Sequence, residues 1–282
     1  MTSNLTGADG ISLAADIGGP IDGPTVVLLH GGGQTRHSWA GTFQILVDNG
    51  WRTYNVDHRG HGDSDWSPDG NYLHSLFAAD VIAITEQVER TPILVGASLG
   101  GIASLLALYQ KPDCARGLVL VDVANRIERS GRDRIGDFMR ANLDGFASLD
   151  DAADAIQAYN PHRPRPKDLS GLAKNLRERD GRWFWHWDPA FIIGKMGSDD
   201  ETRANEIGFD ELDAAAGSLT VPVLLVRGRS SDLLSEEGAQ EFLKRVPQAE
   251  FVDVAGAGHM VAGDRNEIFN RGILDFLERH RS

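Results

Sequence analysis

Ile93-Leu94-Val95-Gly96-Ala97-Ser98-Leu99-Gly100-Gly101-Ile102 decides how this chain is read. The apolar run Ile93 to Val95 is short and bounded by glycine, which suits a strand buried on both faces. Beyond it, Ile102, Leu105, Leu106 and Tyr109 recur at helical spacing. Between them lies a Gly-x-Ser-x-Gly pentapeptide, residues 96–100. In a strand–turn–helix setting this pattern makes a sharp turn that lifts the serine hydroxyl above a sheet. Gly96, Gly100 and Gly101 let neighbouring backbone pass where a Cβ would collide. The helix starting there points its N–H groups at any oxyanion formed beside the serine. Ser98 is the candidate nucleophile, and Leu99 N–H one candidate oxyanion donor.

Working outward, the same rhythm recurs. Runs at 25–30, 52–57, 117–122, 223–228 and 250–254 are apolar at most positions and read as further buried strands. Helical patterns occupy 38–48, 73–89, 99–110, 236–246 and 267–279, the last preceded by Asp264 at capping-box spacing from Glu267. Strand–helix alternation implies an α/β fold with a mostly parallel, doubly wound sheet. Residues 11–16 would begin an antiparallel edge. The rhythm breaks at 123–220, which offers helix-like segments, Pro-rich joints and no strand, and is far too long for an ordinary connection. It reads as a helical cap inserted into a core formed by 1–122 and 221–282. Its aromatic cluster, with Trp183 and Trp185, and Met139 are the candidate substrate contacts.

Three further groups complete a hydrolytic site. His30-Gly31-Gly32-Gly33 closes a strand, and its glycines let a loop bring backbone N–H toward developing negative charge. Gly32 is the first choice of donor and Gly33 the alternative, with His30 bonding inside the loop. The base must be a histidine late in the chain. His259, in Gly256-Ala257-Gly258-His259-Met260, follows the last strand and satisfies the order Ser, Asp, His. A carboxylate must hold that imidazole in the right tautomer. Asp232, just past the 223–228 strand, is the leading candidate, and Asp122, ending the preceding strand, is the alternative. Asp57-His58-Arg59-Gly60-His61-Gly62-Asp63-Ser64 reads as a self-satisfying loop. A metal held by its histidines and aspartates is rejected, since no further ligand set is apparent and serine hydrolysis needs neither metal nor cofactor.

Bulk properties limit the partners. A formal net charge of −13, with no stripe of Lys and Arg, argues against nucleic acid. Arg163, Arg165 and Lys167 alternate with prolines and read as a rigid solvated connection. Cys114 is the only cysteine, so no intramolecular disulfide forms. No signal peptide and no membrane-length apolar run is evident, which makes the cytoplasm the expected location and a small molecule the expected partner. Oligomeric state is not legible.

The chain resembles the α/β-hydrolase superfamily through HGGGQTRHSW (30–39), DHRGHGDSDW (57–66), VGASLGG (95–101), RGRSSDLLS (227–235) and GAGHM (256–260), in the expected order. The first two motifs look most like the capped branch that holds epoxide hydrolases, haloalkane dehalogenases, carboxylesterases and cofactor-free haloperoxidases. The first two of those classes use an aspartate nucleophile where Ser98 stands, so the resemblance implies acyl chemistry instead. Asp232 falls one residue later than the family's commonest Gly-x-x-Asp spacing, which keeps Asp122 open. The resemblance implies a carboxylic ester or lactone hydrolase acting on a small, largely apolar substrate. Carbon–carbon hydrolysis of vinylogous diketones, perhydrolysis, and a non-catalytic ligand-binding protein are its rivals.

Overall fold

The computed structural model describes residues 2–161, 165, 168–193, 208–255 and 267–282. Its strands are β1 (Thr2–Thr6), β2 (Ser12–Gly18), β3 (Thr25–Leu29), β4 (Arg52–Val56), β5 (Ile93–Ala97), β6 (Gly117–Val121), β7 (Leu176–Arg179), β8 (Arg182–Trp185), β9 (Val223–Gly228) and β10 (Ala249–Val254). One sheet runs in the order β1-β2-β4-β3-β5-β6-β9-β10. From β4 to β10 every neighbour is parallel, while β2 is antiparallel to both β4 and β1. The expected edge at 11–16 is thus the second strand. The true edge is β1, whose mostly exposed, polar residues gave no strand pattern.

The central strands sort their side chains by alternation, as the pleat requires. Val26, Leu28, Ile93, Val95, Val119, Val121, Leu224 and Val226 face one side, against Trp39, Leu46, Phe269, Ile273 and Phe276. These come from the segment entering and forming α1 (Ala40–Asp48) and from the C-terminal helix Glu267–Arg279. Val27, Leu29, Leu94, Leu118, Leu120 and Leu225 face the other side, against Phe77, Val81, Leu105, Leu106, Leu212 and Phe242. Those lie on α2 (His74–Thr85), α3 (Leu99–Gln110) and the helices Phe209–Gly217 and Glu236–Arg245. Cys114 is buried just past α3, and burial pushes its thiol up to about 11, so it is no thiolate near neutral pH. No helix among the described residues is long and apolar enough to cross a membrane.

The stretch between β6 and β9 is not purely helical. It carries α4 (Arg129–Ala141) and α5 (Leu149–Tyr159), then the antiparallel hairpin β7–β8. Its two-residue turn, Asp180-Gly181, has both φ angles positive (54° and 73°), as a type I′ turn demands. Three consecutive charged residues in Leu176–Arg179 had hidden the strand. Phe146, Ala152 and Leu176, with Trp183 and Trp185 packed on them, give this stretch a small core of its own.

One buried ion pair ties α2 to the loop after β4. Arg59 donates to both oxygens of Asp80 at 2.6 Å, and both side chains are nearly inaccessible. Asp80 also accepts the Ala8 N–H at 2.8 Å. Asp80→Ala would strand a buried guanidinium, so urea unfolding should show a loss of about 3–5 kcal/mol. A loss below about 1 kcal/mol, the usual value of an exposed pair, would contradict this account.

Candidate active site

The chain leaves β3 to form β4 on one side and later returns to place β5 on the other. The C-terminal ends of β3 and β5 therefore flank the crevice where strand order reverses, the usual ligand position of such sheets. The loop 30–33 follows β3, and Ser98 follows β5.

Ser98 adopts φ 46° and ψ −112°, an arrangement that costs a non-glycine residue about 1–3 kcal/mol. Its surroundings hold it there. Its N–H donates to the Val121 carbonyl at 3.1 Å, and its own carbonyl accepts the Ile102 N–H at 3.0 Å. Gly100 N–H reaches the His30 carbonyl at 3.2 Å. A Cβ on Gly96 would lie 2.4 Å from the Gly100 carbonyl carbon, and one on Gly100 would lie 2.4 Å from the Leu29 oxygen. Only glycine permits either approach.

The loop 30–33 lies against this turn. A Cβ on Gly31 would sit 3.5 Å from Ser98 Cβ, and one on Gly32 would sit 3.8 Å from Leu99 Cβ. Gly31 N–H is given to Gln34 Oε1 at 3.2 Å, and Gly33 N–H to His61 Nε2 at 3.0 Å. The N–H of Gly33, the alternative donor by sequence, is therefore already engaged. Gly32 and Leu99 N–H have no acceptor among the described residues.

The two candidate acids sit in different environments. Asp122 is buried at the end of β6, directly after the residue whose carbonyl holds Ser98 N–H. Its φ of 54° makes it one of four described non-glycine residues with positive φ, and Ser98 is another. Asp122 Oδ1 accepts the Gly228 N–H at 3.0 Å, and Oδ2 accepts the Ser231 hydroxyl at 2.6 Å. Asp232 is one-third exposed and pairs with Arg134 of α4 at 2.6 Å. Its side chain is engaged with the inserted stretch at the surface. His259 lies outside the described residues, as does the Asp264 half of the capping box.

Of the side chains chosen from the sequence as substrate contacts, not all lie against the loop 30–33. Met139 does reach the loop: its Cε lies 2.9 Å from a Cβ built on Gly33. Trp183 pairs with Phe146 by two backbone hydrogen bonds of 2.7 and 2.8 Å, and Trp185 packs edge-on to Phe146 at 5.3 Å. Both belong chiefly to the insertion's own core. The aromatics that touch the loop are Phe191, 3.3 Å from a Cβ built on Gly32, and Trp187, whose Nε1 is 3.8 Å from one built on Gly33. Sequence reasoning passed over both. Trp187 carried no signal that separates it from its neighbours, and Phe191 stood outside the aromatic run.

Comparison with known proteins fits this geometry. The sequence profile of the alpha/beta hydrolase family matches residues 26–271. The chain belongs to the α/β-hydrolase family. It is 30% identical to Esterase Rv0045c of Mycobacterium tuberculosis over 263 residues, covering 89% of this chain and 83% of that protein. It is 28% identical to 2-(acetamidomethylene)succinate hydrolase of Mesorhizobium japonicum, covering 91% and 88%. A crystal structure of E-2-(acetamidomethylene)succinate hydrolase superposes with a TM-score of 0.85 at 26% identity, covering 99% of each chain.

Beneath the loop 30–33 lies a buried imidazole pair. His30 Nδ1–H donates to the Gly31 carbonyl at 2.8 Å, and His30 Nε2 accepts the His58 N–H at 3.0 Å. His58 Nε2–H donates to the His30 carbonyl at 3.1 Å. Burial first, then the neighbouring imidazoles, hold both groups well below the ordinary value of about 6.5. Below that pH the unfolded chain binds protons that the native protein refuses, so stability is complete above it and falls as pH drops. Each imidazole contributes a slope of at most about 1.4 kcal/mol per pH unit. Urea unfolding should show stability declining between pH 7.5 and 5.5, and a flat profile there would refute the neutral pair.

Proposed function

We propose that this hydrolase cleaves carboxylic esters or lactones of small, largely apolar substrates through an acyl-enzyme on Ser98. The observation that supports it best is the strained Ser98 turn beside two N–H groups, of Gly32 and Leu99, that have no acceptor among the described residues. His259 takes the Ser98 proton as Oγ attacks the carbonyl carbon. The carbonyl π pair moves onto oxygen, and the Gly32 and Leu99 N–H groups bind that oxyanion. When the pair returns, the C–O bond to the alcohol breaks and His259 gives the alcohol its proton. His259 then deprotonates water as it attacks the acyl carbon; the C–Oγ bond breaks, the acid leaves, and His259 returns the proton to Ser98 Oγ. The stretch 123–220 acts as a cap, with Met139, Phe191 and Trp187 as its apolar wall. A relative named as an esterase, at 30% identity, supports the ester reading.

For the acid we favour Asp122 over Asp232. Burial and a position directly after the residue whose carbonyl holds Ser98 N–H support it, whereas Asp232 is paired with Arg134 at the surface. An acid that orients the base must be shielded from solvent and hold one tautomer.

Turnover of p-nitrophenyl acetate through octanoate tests both proposals. Ser98→Ala should abolish turnover, and retained wild-type rates would sink the esterase reading. Asp122→Asn should lower kcat by about four orders of magnitude, as expected when the wrong tautomer is favoured. Asp232→Asn should stay within about twofold, as a surface change does. The reverse pattern would return the role to Asp232.

A further inference from the structure

Two peptide planes decide where Gly32 N–H points. The Gly31 carbonyl accepts the Gln34 N–H at 3.1 Å and the His30 Nδ1–H at 2.8 Å. A trans peptide sets its N–H opposite its carbonyl, so these bonds also set the direction of Gly32 N–H. The following plane, Gly32–Gly33, is held at its N–H by His61 Nε2 at 3.0 Å. Three consecutive glycines impose no steric preference of their own, and Gly33 already stands at φ 75°. External hydrogen bonds must do what side chains cannot.

His61 suits that task. Its Nδ1–H donates to the Arg59 carbonyl at 3.0 Å, which leaves the Nε2 lone pair for Gly33. The residue is fully buried. Its ring meets Phe191 edge-on at 4.8 Å, and Phe191 covers Gly32. Its backbone is fixed as well. Gly62 N–H donates to the His186 carbonyl and Asp188 N–H to the Gly60 carbonyl, each at 2.7 Å.

We propose that His61 is a positioning residue for the oxyanion hole: by accepting Gly33 N–H it fixes the Gly32–Gly33 plane, so that Gly32 N–H keeps its aim at the reacting oxygen. This rests on the reading of Ser98 as nucleophile and Gly32 as donor. No proton leaves or reaches the substrate through His61.

The experiment compares wild type, His61→Leu and His61→Gln. Leucine fills the space against Phe191 but accepts nothing. Glutamine can accept Gly33 N–H through its carbonyl and donate to the Arg59 carbonyl through its amide. Two readouts are taken: kcat and KM for p-nitrophenyl acetate, and the second-order rate at which a fluorophosphonate labels Ser98. For His61→Leu, kcat and the labelling rate should fall about 10- to 100-fold, less than the full loss of a donor. KM should stay within about threefold, since binding of the ground state does not use the hole. His61→Gln should recover most of both rates. Unchanged rates in His61→Leu would overturn the proposal. So would equal losses in both variants with a matching fall in Tm, which would mark a purely structural histidine. If the wild type labels at Ser98 but turns over no ester, the ester reading fails while the labelling rates still decide the role of His61. No label on wild-type Ser98 would overturn the nucleophile and this inference together.

Discussion

Everything at the crevice depends on a contact made without side chains. The first turn of α3 presses directly on the ends of β3 and β5, with Gly96, Gly100 and Gly101 at the points of closest approach. Because no Cβ intervenes, Ser98 is forced into its unusual backbone geometry and the loop 30–33 can lie beside it. The apolar faces of the central strands supply the free energy that holds α3 there. Burial on both sides of the sheet offsets the strain of one residue many times over.

Under that contact lies a polar layer that sets orientation. Asp57 receives Arg36 through both its backbone N–H and its guanidinium, and it also takes the Asp63 N–H at 2.9 Å. His30 and His61 each spend both ring nitrogens on backbone groups, and His58 gives its Nε2–H to the His30 carbonyl. A glycine loop has little internal preference, so this layer sets its shape. Much of the 57–64 segment, read from the sequence as a self-satisfying loop, is spent on this support.

The central sheet was legible because its strands are buried on both faces and read as apolar runs. The limits of β9 and α3 coincide with the sequence reading. The Ser98 turn was legible because its glycines are required by contact. Weaker patterns failed for physical reasons. β1 is exposed and polar, and β7 bears charges on three of four residues, so neither showed alternation. The choice between Asp122 and Asp232 turned on burial and on a partner 98 residues away, Arg134, neither of which spacing encodes. Trp183 and Trp187 look equivalent in sequence. One closes the insertion's own core and the other meets the glycine loop, because successive elements of a hairpin and its exit face different neighbours.

The inserted stretch joins the loop 57–64 through main-chain hydrogen bonds around His61 and Trp187. Main-chain pairing is nearly indifferent to side-chain identity. Residues of the insertion can therefore be exchanged while its attachment to the loop 57–64 persists. Sequence change elsewhere in the insertion can accumulate without moving the glycine loop, as long as Met139, Phe191 and Trp187 keep their contacts with it.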